Sequence, residues 1–175
     1  MLKVGSRALD RLVILSAVAA ILAGLSGCGV LFSKQEKPMQ VEVELVGTDS
    51  LNFDGQSAQA VQVKAYILRS VERFNAADVQ AFFNSAFDPG FASEFAKDIL
   101  DSVTLIVAPR ETRSSMIEIP FSRARDVSPQ FGAIANFSQP STARGRERVA
   151  FKMTKKTRQT ISVQLGKNWV ERGKK

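Results

Sequence analysis

The feature that most constrains this chain is an alternation. Val41, Val43 and Leu45 are separated by Gln40, Glu42 and Glu44, a side-chain period of two that suits an extended strand with one dry and one wet face. The pattern predicts a strand over 40–46. It returns over 60–68, where Val61, Val63, Ala65 and Ile67 share one face and Gln62, Lys64 and Tyr66 the other. Further strands are predicted over 102–108, 114–121, 131–137, 148–153 and 160–169, separated by turns bearing Pro, Gly, Lys and Arg at the spacing of an all-β sandwich. Pro109-Arg110-Glu111 is a tight connection, so the strands on either side of it are expected to pair as a hairpin. The expected class is mainly β.

Between about 70 and 100 the period changes. Asn75 can cap a helix, Asp78 follows three residues later, and Phe74 and Val79 are spaced as a hydrophobic staple. Val79, Phe82, Phe83 and Ala86 continue one helical face until Asp88-Pro89-Gly90 interrupts it. Phe91, Phe95 and Ile99 then recur every four residues, which predicts a second short helix over 89–100. The phenylalanine stripe is read as core packing against the sheet.

Composition removes most chemistry. The 175 residues contain no histidine and one cysteine, Cys28, which excludes Ser-His-Asp and Cys-His pairs, two-His metal sites, CxxC motifs and an intramolecular disulfide. Glu42 and Glu44 fall on the wet face of a strand. Glu94, Asp98 and Asp101 lie near one helix face without the glycine-containing loop of a calcium site, and are read as wet surface. No phosphate-binding glycine loop occurs, and Gly145 among Arg144, Arg146 and Arg148 does not make one. The expectation is no catalytic residue, no metal and no cofactor.

The net charge is +7, and much of the excess lies late, from Arg144 through Lys152, Lys155, Lys156 and Arg158 to Lys175. Nucleic-acid binding would require exposed aromatics among these cations, and nucleic acid is not an expected partner. Attraction to anionic head groups, peptidoglycan or an acidic partner remains open beside an ordinary solvated face.

The first 27 residues read as an address. Lys3, Arg7 and Arg11 precede the apolar run Leu12 to Leu25, which is short of the roughly 20 residues that span a bilayer and suits a signal peptide. Leu25-Ser26-Gly27-Cys28 resembles the lipobox of bacterial lipoproteins, in which the cysteine is acylated and becomes the new N-terminus. Gly29 stands where an inner-membrane retention signal would place Asp, so the resemblance implies an outer-membrane protein facing the periplasm. Residues 28–39 read as the lipidated cysteine and a tether, and 40–175 as a sandwich domain with a helical insertion at about 70–100.

The loop 47–59 is rich in Gly, Ser, Asp and Asn yet carries Leu51 and Phe53. Two readings stand: these side chains fold back into the core, or they are apolar anchors on a recognition loop. Asn52, Asp54 and Gly55 are residue types that shape turns.

This loop, Leu51-Asn52-Phe53-Asp54-Gly55, together with Val61-Gln62-Val63-Lys64-Ala65-Tyr66-Ile67-Leu68 and with Phe74 before Ala77-Asp78, resembles the TssJ (SciN-like) family of outer-membrane lipoproteins of bacterial type VI secretion. Phe53 replaces a frequent Pro, Ile67 a frequent Gln, and Ala108-Pro109-Arg110-Glu111 a common Pro-Gly turn. The resemblance implies a transthyretin-like two-sheet β-sandwich with one or two added short helices. It further implies a non-enzymatic docking subunit that binds the periplasmic domain of the inner-membrane protein TssM through loop 47–59, with Leu51, Asn52, Phe53 and Asp54 at its centre. The competing reading is a periplasmic ligand-binding or other envelope-assembly lipoprotein, with the helices at 75–100 as a lid over an apolar cavity.

Overall fold

Every second residue of β1 (Met39–Gly47) is buried, because the strand lies in the middle of a sheet with one face on the core. The computed structural model describes residues 37–139 and 145–173. Residues 1–27, Cys28, most of the tether and Arg144 lie outside them, as do Lys174 and Lys175. The other strands are β2 (Val61–Leu68), β3 (Ile99–Val107), β4 (Thr112–Ile119), β5 (Gln130–Ala135), β6 (Arg148–Lys152), β7 (Arg158–Leu165) and β8 (Val170–Arg172). They form two four-stranded sheets, ordered β4-β1-β7-β8 and β3-β2-β5-β6. The β1 and β7 strands run parallel, Gln40 opposite Arg158 and Gly47 opposite Leu165, and the remaining pairs are antiparallel. Between the sheets, Val41, Val43 and Leu45 meet Val63, Ile67, Phe131 and Val163, all fully buried, in one core. Each such side chain stabilises the fold by about 1.5–3 kcal/mol relative to exposure.

The expected hairpin at Pro109 does not form. β3 pairs with β2 and β4 with β1, so residues 108–111 form a corner between sheets. Arg110 sits at φ +63°, and the Glu111 carboxylate accepts from the Ala108 amide at 2.9 Å. Both strands have one dry face, and crossing the corner lets those faces meet across the core. The strand expected over 160–169 is itself a hairpin: β7 ends at Leu165, and the Gly166 amide donates to the Trp169 carbonyl at 2.9 Å before β8 returns.

The helical insertion is more broken than the periodicity suggests. Three helices, α1 (Glu72–Ala76), α2 (Val79–Phe83) and α3 (Pro89–Ala96), precede β3, and a turn of helix, α4 (Phe121–Ala124), follows β4. Asn75 lies inside α1. The cap of α2 is Asp78, whose carboxylate accepts from the Gln80 amide at 2.8 Å, because Ala77 at ψ 153° breaks the helix. Asp88 caps α3. Ile99, expected as the last turn of that helix, instead pairs with Leu68 in the sheet.

These helices cover the outer face of the β3-β2-β5-β6 sheet. Tyr66, Leu68, Phe74, Phe82, Phe95 and Ile134 form a second buried cluster there, with edge-to-face rings such as Tyr66 and Phe95 at 5.2 Å between centroids. Gly132 admits Phe74: a Cβ there would lie 3.1 Å from its ring. Arg148 reaches in from β6 and donates to the carbonyls of Phe74 and, at 2.8 Å, Ala77, answering backbone acceptors at the end of α1. Burial holds its pKa below the ordinary guanidinium value.

Candidate functional site

Loop 47–59 leaves the end of β1 and is braced at every turn. The Gly47 amide donates to the Glu111 carbonyl and the Thr48 amide to the Leu165 carbonyl, at 2.8 and 2.9 Å. The Arg110 amide donates back to the Thr48 carbonyl at 3.2 Å. The sheet-to-sheet corner, the β7–β8 turn and the loop therefore form one end of the sandwich.

The two apolar residues of the loop part company. Leu51 is fully buried in the main core, so for it the inward reading holds and no outward anchor exists. Phe53 is half-exposed, with the Lys167 ammonium 5.3 Å from its ring centroid, a cation–π arrangement. Asn52 between them is 5% exposed and adopts φ +49°, a left-handed conformation that asparagine tolerates better than most residues. Its carboxamide is satisfied on both sides: Nδ2 donates to the Ala60 carbonyl at 2.9 Å, and Oδ1 accepts from the Ser138 amide at 2.8 Å and hydroxyl at 3.0 Å.

Asp54 organises the outer half of the loop. Its Oδ1 accepts from the amides of Gln56 and Ser57 at 2.8 and 3.0 Å, and Oδ2 accepts from the Gln59 side chain. The Ser57 and then the Gln56 amide bonds hold its pKa below the ordinary value of 3.8. Gln139 Nε2 reaches the Asp54 carbonyl at 2.6 Å. Gly55, at φ +108°, completes a turn that a side chain would strain.

Of the four residues singled out in the sequence, Phe53 and Asp54 thus face outward and Leu51 and Asn52 support them. Ser138, Gln139, Gly166 and Lys167 also build the site. They come from two other loops, and no local pattern marks them.

Chemistry beyond recognition finds little footing elsewhere. Among the described residues no group of three or more Cys, Asp or Glu side chains is placed to hold a metal, and no helix is long and apolar enough to cross a membrane. Of the acids near α3, Asp98 is buried against Arg73 at 2.7 Å and Glu94 pairs with Lys97 at 2.6 Å, so these carboxylates hold the insertion together. Beneath the helices the space is occupied by the rings of Tyr66, Phe74, Phe82 and Phe95, which leaves the expectation of a lidded cavity without support there.

The fold has relatives among solved structures. The crystal structure of the type VI secretion lipoprotein TssJ1 from Pseudomonas aeruginosa matches with a TM-score of 0.62 at 18% identity, over 78% of this chain and 95% of that one. Lip of Serratia marcescens, a membrane-bound component of the type VI secretion system, matches with 0.62 at 16%, over 77% and 97%. A chain in the structure described as the TssM C-terminal domain from EAEC matches with 0.59 at 16%, over 78% and 98%. No curated protein sequence matches at a significant level. The profile of the family described as Type VI secretion lipoprotein, VasD, EvfM, TssJ, matches residues 39–168. It is a family of secretion lipoproteins and not of enzymes. Profile and architecture agree, and this chain belongs to the type VI secretion lipoprotein family.

Proposed function

We propose that the chain is acylated on Cys28, held at the outer membrane facing the periplasm, and acts without catalysis as the docking subunit for the periplasmic domain of a TssM-like inner-membrane protein. The observation that carries this reading is the prearranged loop. Phe53 and Asp54 are presented on a turn whose backbone is fixed by Asn52, Asp54, Ser138 and Gly166, so little ordering remains to oppose association. The membership of the family and the likeness to a chain in a structure described by its TssM domain support the choice of partner. Leu51 and Asn52 act in this reading as the supports of the surface.

The test is the affinity of the mature chain for the periplasmic region of TssM from the same cell. Phe53→Asp is expected to weaken binding about thirtyfold, corresponding to about 2 kcal/mol at a well-packed anchor, with an unchanged circular dichroism spectrum. Undiminished binding by that variant would remove the loop from the interface. A second measurement addresses the anchor: Cys28→Ala is expected to leave a folded chain that no longer fractionates with the outer membrane.

A further inference from the structure

At the other end of the sandwich, cations gather that form no ion pair among the described residues. A cleft of about 400 Å3 opens between β6 of one sheet and β7–β8 of the other, lined by Phe151, Ile161, Lys152, Lys156, Arg158 and Arg172. The Arg172 guanidinium stands over the Phe151 ring at 4.5 Å, which fixes it across the gap. The ion pairs among the described residues lie elsewhere, joining Arg73 and Lys97 to Glu94, Arg73 to Asp98, and Arg113 to Glu111. Glu42, on the same outer sheet face as Arg158, accepts from the Thr160 hydroxyl at 3.1 Å and forms no ion pair among the described residues. Glu171 precedes Arg172 in β8, and successive side chains of a strand point to opposite faces. By the same alternation Lys152 and Arg158 point away from Phe151 and Ile161, so Arg172 lies inside the cleft over its apolar floor while Lys152, Lys156 and Arg158 stand around its rim as exposed cations.

Its place in the fold indicates what it meets. The Gln40 amide donates to the Thr157 carbonyl at 2.8 Å, and Gln40 lies opposite Arg158, so the cleft borders the point where the chain enters the domain. Met39 follows Cys28 by eleven residues, which when fully extended reach at most about 40 Å. Loop 47–59 begins at the far end of β1, roughly 25 Å away at about 3.3 Å per residue.

We propose that this cleft binds the phosphate head groups of anionic phospholipids in the membrane that carries the acyl anchor, and so seats the domain with loop 47–59 directed away from the bilayer. The proposal rests on the acylation of Cys28 proposed above. Electrostatic attraction falls off within about 8 Å at physiological ionic strength, so cations beside the tether are the ones a membrane surface can engage. They supply an electrostatic contact that an acyl chain alone lacks.

The experiment uses the mature chain, residues 28–175, carrying Cys28→Ser so that acyl insertion does not mask the head-group contact. It is mixed with phosphatidylcholine vesicles with and without phosphatidylglycerol, and the bound fraction is measured by flotation. Binding is expected only with phosphatidylglycerol. Each cation removed should weaken it about fivefold, so the combination Lys152→Gln, Lys156→Gln and Arg158→Gln loses about a hundredfold, while Arg113→Gln, opposite Leu45 near the loop end of β1, changes little. All three cleft positions are exposed, and circular dichroism checks that the variant folds. No binding by the unaltered chain, or equal binding by the triple variant, overturns the proposal. Displacement by inorganic phosphate or by a polyglutamate peptide at matched charge concentration also overturns it, and assigns the cleft to a soluble phosphate or an acidic protein. The mass of the native chain extracted from membranes reports acylation separately: an unacylated Cys28 removes the anchor, while the vesicle result still decides the cleft.

Discussion

Asn52 and Ser138, 86 residues apart in the chain, are joined through one carboxamide oxygen that accepts both the amide and the hydroxyl of Ser138. The same side chain donates to Ala60, so a single asparagine ties the loop after β1 to the segment after β5. Asn52→Ala leaves the Ser138 amide without its acceptor and places alanine in a left-handed conformation. A loss of about 2 kcal/mol in chemical denaturation is expected from the unpaired buried group, with faster amide exchange at Ser138. Asn52→Gly relieves the backbone but not the bonds, and should show the same exchange with a smaller loss of stability.

Leu51 and Phe53 are two residues apart and should respond oppositely. Leu51→Ala removes a fully buried side chain from the main core and is expected to cost about 2–5 kcal/mol in unfolding free energy. Phe53→Ala should cost less than about 1 kcal/mol and act on partner affinity. Denaturation and binding titrations on the same two proteins check both halves.

Gly166 supports the ring of Trp169: a Cβ there would lie 2.0 Å from the indole, an overlap only displacement of the ring can relieve. Gly166→Ala is expected to lose about 1–3 kcal/mol, as overpacked positions do. The chain has one tryptophan, so its fluorescence spectrum reports the displacement directly. The Asn52 amide donates to the Gly166 carbonyl at 3.2 Å, and the variant should therefore loosen loop 47–59 as well.

Asp54 makes the loop sensitive to acid. Its carboxylate is stabilised by amides that exist only in the folded loop, which sets its folded pKa below the unfolded one. That contribution is complete above the unfolded value near 3.8 and is lost as pH falls through the lower folded value. Amide exchange of Gln56 and Ser57, corrected for intrinsic rates, is expected to be steady from neutral pH down to about 4 and to rise below it. Asp54→Asn should remove the acid-dependent part, and an unchanged profile in that variant would discharge Asp54 from the role.

Local periodicity made much of this architecture legible. Val41, Val43 and Leu45 marked a strand because one face of β1 meets the core throughout, and Phe74, Phe82 and Phe95 marked a packed stripe because they cover a sheet. What stayed hidden depends on non-local pairing. Pro109-Arg110-Glu111 has the same local chemistry whether its flanking strands pair or diverge, and the choice was made by β1 and β2, which supply the actual partners. The helix break at Ala77 answers to Asp78, which caps the next helix, and to Arg148, which reaches from β6 to the Ala77 carbonyl. In the site, the turn-forming role of Asn52 and Asp54 was visible in residue type alone, but the direction of Leu51 was not. An apolar residue in a polar loop has no periodic neighbour to say which way is in. Ser138, Gln139 and Lys167 carried no signal because their part is set by contacts with residues more than 80 positions away.

The position of β1 has a mechanical meaning. The strand begins where the tether arrives and ends where loop 47–59 departs, and it is hydrogen-bonded along both sides, to β4 and to β7. Tension applied between the tether and a partner held at the loop therefore runs along one strand, parallel to its axis. To pull that strand free, the two ladders must yield together in shear, since neither can be unzipped one bond at a time. Load reaches the rest of the sandwich through those ladders and through Val41, Val43 and Leu45, whose side chains pack on the facing sheet, so the strand is gripped along its whole length rather than at one end.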